Sequence, residues 1–225
     1  VNVDGREYLL IPNATSVGLD VTLTGNGQLL VVDLGALQSA GGSINISGNL
    51  VMQSIDLSSL ATVDGSLTVT DNPALNAILI SGVTSIGGDL TIIGTAATVI
   101  DLSALTTVGG SLDVSGNTAA TSIDLTGLTT VGGSLDASGN ASMSSIDLTS
   151  LTTVGGGLEV SGNTSATTID MSSTTTVGGD LTIVDNGDAA VDMSSGTDVG
   201  GNLTVETTGT GAFDMGDGTV TGDAT

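Results

Sequence analysis

The segment Leu128-Thr129-Thr130-Val131-Gly132-Gly133-Ser134-Leu135 returns with one residue changed as Leu151-Thr152-Thr153-Val154-Gly155-Gly156-Gly157-Leu158. Upstream it stands as Leu105-Thr106-Thr107-Val108-Gly109-Gly110-Ser111-Leu112. The small apolar residue before the Gly-Gly, or before its equivalent, is Val17, Ala40, Val63, Ile86, Val108, Val131, Val154, Val177 and Val199. The intervals are 23, 23, 23, 22, 23, 23, 23 and 22 residues. Nine units thus cover residues 17–215. A register held this strictly marks a solenoid, in which one unit is one coil and neighbouring coils bury each other's apolar side.

Each unit reads approximately L-T-T-V-G-G-S-L-D-V-S-G-N-x-x-x-x-S-I-D-L-T-G. Two stretches alternate apolar with small polar residues, as in Ser111-Leu112-Asp113-Val114-Ser115 and Ser122-Ile123-Asp124-Leu125-Thr126. Period-2 alternation is the signature of a half-buried strand. Gly109-Gly110 and Gly116-Asn117 punctuate the strands and read as turns where positive φ is tolerated. No helical period of 3.6 is evident, so almost no helix is expected. The predicted fold is therefore all-β: a parallel β-solenoid of about nine coils of 22–23 residues. Its inward columns are Leu112/Val114, Ile123/Leu125, Leu128, Val131 and their equivalents. Stacked about 4.8 Å apart, nine coils make a rod of about 40–45 Å. The expected organisation is an N-terminal cap or docking segment over 1–16, holding Arg6, Tyr8 and Pro12. The nine-coil solenoid follows over 17–215, and a short polar C-terminal tail, too small to cover coil nine, over 216–225.

Composition narrows the function. Of 225 residues 39% are apolar and 11% charged, with 24 Asp and Glu against a single basic residue, Arg6, for a net charge of −23. A chain with one cation cannot neutralise phosphates, which excludes nucleic-acid binding and attraction to anionic membranes. No apolar run approaches the roughly 18–20 residues that span a bilayer, so no membrane insertion is expected. The absence of His and Cys removes Ser-His-Asp and Cys-His catalysis and the usual zinc, copper and haem ligands. The chain begins with Val and shows no signal peptide, which reads as a processed or excised portion of a longer product.

Two polar columns stand out. The first is Asn26, Asn49, Asn72, Asn117, Asn140, Asn163 and Asn186, with Thr95 and Thr208 in the two remaining places. Asn stacked on itself at a turn can satisfy backbone groups of adjoining coils that burial would leave unpaired, so this column reads as a structural ladder. The second is the outward residue of the I-D strand: Asp33, Asp56, Asp101, Asp124, Asp147, Asp170, Asp192 and Asp214, interrupted by Leu79. Like charges about 4.8 Å apart repel by roughly 1 kcal/mol per pair even in bulk water. Three readings account for such a column. It is a solvated acidic face, or a divalent-cation ladder over Asp101, Asp124, Asp147, Asp170 and Asp192, or a set of catalytic carboxylates. Ca2+ suits the second because it takes carboxylate oxygens. The third conflicts with a uniform column, since a catalytic pair is local. No other cofactor is expected. Asp185-Asn186-Gly187-Asp188 and Asp214-Met215-Gly216-Asp217-Gly218 hint at calcium loops, but neither has the EF-hand or nonapeptide spacing. Among the N-x-S/T sequons, Asn13 is the one expected to be accessible. The paired Thr106-Thr107, Thr129-Thr130, Thr152-Thr153 and Thr175-Thr176 raise ice binding, although both hydroxyls of a pair are expected in a turn-like corner.

Leu128-Thr129-Thr130-Val131…Leu135-Asp136-Ala137-Ser138-Gly139-Asn140 resembles the L-x-x-L…L-x-L-x-x-N core of leucine-rich repeats. It is most similar to the Gly-containing repeats of receptor L-domain-like and bacterial surface-type proteins, and the likeness extends over all nine units. The resemblance implies a right-handed, usually extracellular solenoid used for binding or adhesion; the I-D-L return segment implies a leucine-rich-repeat-like β-helix. Two functions follow as expectations. One is a non-enzymatic extracellular structural protein that self-associates head to tail into a filament or surface fibre. The other is a cell-surface adhesion or binding module for a surface glycan or protein ligand, Ca2+-dependent if the Asp column takes up the ion. A polysaccharide-processing β-helix enzyme would need basic substrate-binding residues, which the repeats lack.

Overall fold

The computed structural model describes residues 6–206 and 212–225, and the chain is an all-β parallel solenoid with no helix among them. Thr208, in the Asn column, and residues 1–5 of the N-terminal segment lie outside the described residues. Each coil contributes three short strands, one to each of three faces. The first face is a nine-stranded parallel ladder of two-residue strands running from Ser16–Val17 to Asp198–Val199. The second, also of nine strands, runs from Val21–Thr24 to Leu203–Val205. The third holds ten strands, from Tyr8–Leu10 to Phe213–Asp214, divided into ladders of four, two and four. The divisions fall between Ala77–Leu79 and Val99–Asp101, and between Ser122–Asp124 and Ser145–Asp147.

Residues one repeat apart are cross-strand partners: Thr130 with Thr153, Leu135 with Leu158, Ile146 with Ile169. The register follows from alternation, because a slip by one residue would turn Leu135 and its equivalents to solvent. The inward set is buried as the pattern requires, with Leu112, Val114, Ile123, Leu125, Leu128 and Val131 all at most 7% exposed. Together with the corner leucines they form one hydrophobic cluster from Leu23 to Leu203. Burying a side chain of this size is worth about 1.5–3 kcal/mol, so aliphatic columns suffice without an aromatic centre.

The two glycine positions work differently, which corrects the common role expected of them. Gly116, Gly139 and Gly162 have φ of 65°, 68° and 68°, the left-handed turn a side chain disfavours. Asp71 and Asp185 take the same place in their coils at φ 54° and 56°. Gly132 and Gly155, from the Gly-Gly pair, have no positive φ. Their constraint is the stacking itself. A Cβ on Gly132 would strike the carbonyl oxygen of Gly109, and one on Gly155 that of Gly132.

The solenoid also extends beyond 17–215. Tyr8–Leu10 pairs in register with Val31–Asp33, so part of the expected cap is itself the first rung of the third face. In the tail, Val220 bridges Val199 and Ala224 bridges Leu203. An apolar residue in the right phase is enough to continue the stack, and Leu9 and Val220 supply it at the two ends.

Candidate functional site

The Asn column lies in a buried corner directly after the positive-φ glycine. Asn49, Asn72, Asn117, Asn140 and Asn163 are fully buried, and Asn26 and Asn186 nearly so. From Asn49 to Asn186 each carboxamide oxygen accepts the backbone N–H of the column residue one coil earlier: Asn26 donates to Asn49 at 2.9 Å, Asn117 to Asn140 at 2.9 Å, Asn140 to Asn163 at 2.9 Å. The side-chain amide donates back to carbonyls, as Asn49 does to Leu23 (2.9 Å), Asn72 to Ile46 (2.8 Å) and Asn186 to Val160 (2.6 Å). Donor and acceptor are thus both satisfied in a place closed to water. Where Thr95 replaces Asn, its N–H and its hydroxyl both donate to Asn117 Oδ1, at 3.1 and 2.9 Å.

The Asp column lies at the outer end of the third-face strands, with Asp147 and Asp214 exposed and the other six members half-buried. Asp33 pairs with Asp56, Asp101 with Asp124, Asp147 with Asp170, Asp170 with Asp192, and Asp192 with Asp214. Asp124 and Asp147 stand on adjoining coils, whose other faces pair Val131 with Val154 and Leu135 with Leu158. All eight carboxylates do the same local work: Oδ1 accepts the backbone N–H two residues on. The donors are Gly35, Ser58, Ser103, Thr126, Thr149, Ser172, Ser194 and Gly216, at 2.9–3.0 Å. The hydroxyls of Ser103, Thr126 and Thr149 add bonds of 2.6–2.7 Å to the same oxygens. These Asx turns bend the chain from the strand into the next corner. The Ser103 hydroxyl, and then its N–H, hold the Asp101 carboxyl below the usual carboxylate range. Ser194 does the same for Asp192. Asp thus has a conformational reason to recur that repulsion alone obscures. The signal was present in the sequence, since Ser, Thr or Gly stands two residues after every member of the column.

A third ladder went unread in the sequence. The residue after Gly-Gly, a Ser, Asp or Asn in every coil except that of Gly157, accepts with its side-chain oxygen the N–H of its equivalent one coil later. Asp20 receives Ser43 (2.8 Å), Ser66 receives Asp89 (2.9 Å), Asp89 receives Ser111 (2.8 Å), and Asp180 receives Asn202 (2.7 Å). The paired Thr columns also divide. Thr106, Thr129, Thr152 and Thr175 occupy the corner and donate their hydroxyls to the carbonyl one coil earlier at 2.9–3.1 Å. Thr107, Thr130, Thr153 and Thr176 belong instead to the first-face strands and not to the corner expected for both.

Among the described residues, no group of three or more His, Cys, Asp or Glu side chains is arranged to hold a metal ion. Asn186, in the stretch that hints at a calcium loop, is buried in the Asn ladder, and Asp214 serves the Gly216 turn. A shallow depression of about 290 Å³ lies along the second face, where Asp136, Glu159 and Asp180 surround Gly157. Asn13 is exposed in a turn, whereas Asn140 and Asn163 are locked inside the ladder. Two apolar hollows mark the ends of the core. One, of about 370 Å³, is lined by Ile11, Val17, Val21, Leu34 and Leu37 with Asp20 and Thr22 among them; the other, of about 340 Å³, by Leu203, Val205, Phe213, Met215 and Ala224 with Thr225. Compared with known proteins, the chain matches no family model, and no curated protein or solved structure matches it significantly.

Proposed function

We propose that this chain is a non-enzymatic structural protein of the cell surface or extracellular space, an acidic β-solenoid subunit that assembles end to end into a filament or surface fibre. One observation carries the reading: four polar columns that recur along the rod are engaged with the rod's own backbone. The Asn, Ser/Asp and corner Thr columns tie coil to coil, and the Asp column shapes each turn. Residues so engaged serve stiffness and repeat geometry. Scarce basic residues, with Arg6 alone, leave trypsin-like proteases almost no site, which suits exposure outside the cell. Electron micrographs of the purified protein test the reading: fibres one rod wide are expected, and monodisperse short rods at high concentration overturn it.

A second reading is an adhesion or binding module of the leucine-rich-repeat, L-domain-like type, directed at a surface glycan or a protein. Leu79 and Val99, 50% and 53% exposed on the third face where its first ladder ends, favour it. Retention of the protein on immobilised glycans or cell-surface extracts, abolished by Leu79→Asp, would support this module over the fibre.

A further inference from the structure

Resting on the filament reading, we infer that the joint between subunits is a head-to-tail contact in which the C-terminal face of one copy, around Phe213 and Met215, seats on the N-terminal face of a second copy, around Leu9, Ile11, Val17 and Val21. The two end hollows are cut through the columns that the interior buries. Val17 belongs to the column of Val131, Val21 to that of Leu135, and Leu9 and Phe213 to that of Ile146. Inside the rod those residues are 0%, 1% and 2% exposed. At the C-terminal face Phe213 occupies the inward position, paired with Val191, yet is 42% exposed. A second copy offers the N-terminal face the same three columns, in the same strand direction, that every interior coil receives from the coil before it.

Direction distinguishes this joint from a symmetric one. The Ser/Asp ladder is polar along the axis: the earlier coil gives the side-chain acceptor and the later coil the N–H. The C-terminal face carries Asp223, whose N–H is bound by Asn202, so its carboxylate stands where an acceptor belongs. The N-terminal face carries the backbone N–H of Asp20 in the same column. The single cation, Arg6, lies at the N-terminal end beside Glu7 and near Asp20, and the C-terminal end carries Asp214, Asp217 and Asp223, so only a head-to-tail joint brings the cation to the more acidic end. Two C-terminal faces would oppose carboxylates to carboxylates. A joint of this kind does not close and propagates as a filament.

The test uses one variant per face. Phe213→Asp places a charge at the C-terminal face on a residue already exposed, and Arg6→Glu and Val17→Asp alter the N-terminal face, with circular dichroism confirming that each remains folded. By sedimentation velocity, Phe213→Asp and Val17→Asp are each expected to weaken self-association at least about tenfold, as for a central contact residue, and Arg6→Glu by less. Mixed together, the Phe213→Asp and Val17→Asp proteins still hold one intact face each, so they form dimers and nothing longer. Long fibres from the mixture, or fibres insensitive to all three variants, overturn this joint and leave the filament reading standing, whereas fibres lost only with Leu79→Asp are lateral and overturn both. A wild-type protein that stays monomeric at every concentration overturns the filament reading itself.

Discussion

The Asn corner and the Asp edge each set one side-chain oxygen per coil against a backbone N–H, at nearly the same distances, yet they do opposite jobs. The Asn oxygen reaches a neighbouring coil 23 residues away, in a place without water. The Asp oxygen reaches two residues along its own chain, at the surface. One holds the stack together; the other shapes a turn within a single coil. Regular recurrence is common to both, so recurrence alone says nothing about which bond is structural at long range. Position decides it: Asn follows the left-handed glycine and faces the core, whereas Asp alternates outward from a buried Ile.

The largest effect should come from breaking the corner. Asn140→Ala removes the acceptor of the Asn117 N–H and the donor to the Ala137 carbonyl, in a site 0% exposed. Leaving two buried groups unpaired costs about 2–4 kcal/mol. Asp124→Ala removes only solvent-accessible bonds from Thr126 and should cost under about 1 kcal/mol. Denaturant unfolding measures both, and hydrogen exchange at the Asn117 amide should accelerate only in the first variant. Equal losses would mean that the two columns are energetically alike.

The comparison sharpens at Thr174, which stands in the corner-leucine column of Leu128 and Leu151, fully buried, with its hydroxyl unpartnered. It is a buried polar side chain without a ladder. Thr174→Val keeps the shape and removes the unsatisfied hydroxyl, so stability should rise by about 1 kcal/mol. A loss on thermal unfolding would show that the hydroxyl contributes despite having no partner.

How much of this was legible beforehand depends on the range of the interaction. The strand register, the inward columns and the Asn ladder could be read because they repeat at fixed phase and alternate in polarity, and Leu112, Ile123 and Asn117 lie where that reading puts them. The Gly-Gly pair was misassigned because its constraint is the carbonyl of another coil, invisible in local turn chemistry. The Asp column invited an electrostatic explanation since its charge is conspicuous, whereas the Asx turn lies in the modest Ser, Thr or Gly two positions later. The ends were misread because the polar tail hides two residues, Val220 and Ala224, that hold the phase of the core.

Salt separates the columns next. Screening acts on charges, so stability should rise from 0.01 to 1 M NaCl as the Debye length falls from about 30 Å to about 3 Å, and Asp124→Ala should flatten the rise while Asn140→Ala leaves its slope unchanged. With one oxygen of each carboxylate already taken by its turn, CaCl2 at matched ionic strength should give the same melting temperature as NaCl. A rise specific to Ca2+ would instead assign Asp101, Asp124, Asp147, Asp170 and Asp192 a bridging role between coils or molecules.

The smallest effect is a titration, and it belongs to the Asp edge alone because carboxamides do not titrate. The Ser103 hydroxyl and N–H favour the ionised form of Asp101 and lower its pKa, with slight burial opposing them. The folded value therefore lies below that of the unfolded chain. The stability contributed by this group is complete above the unfolded value of about 3.9 and is lost as pH falls through the folded one. Carbon-detected NMR of the Asp101 carboxyl should show a midpoint below the ordinary range. Ser103→Ala should move the midpoint upward without reaching the unfolded value, since the residue-103 N–H still donates. An unmoved midpoint would mean that the hydroxyl bond does not persist in solution, and the local account of the Asp column would then rest on the backbone N–H alone.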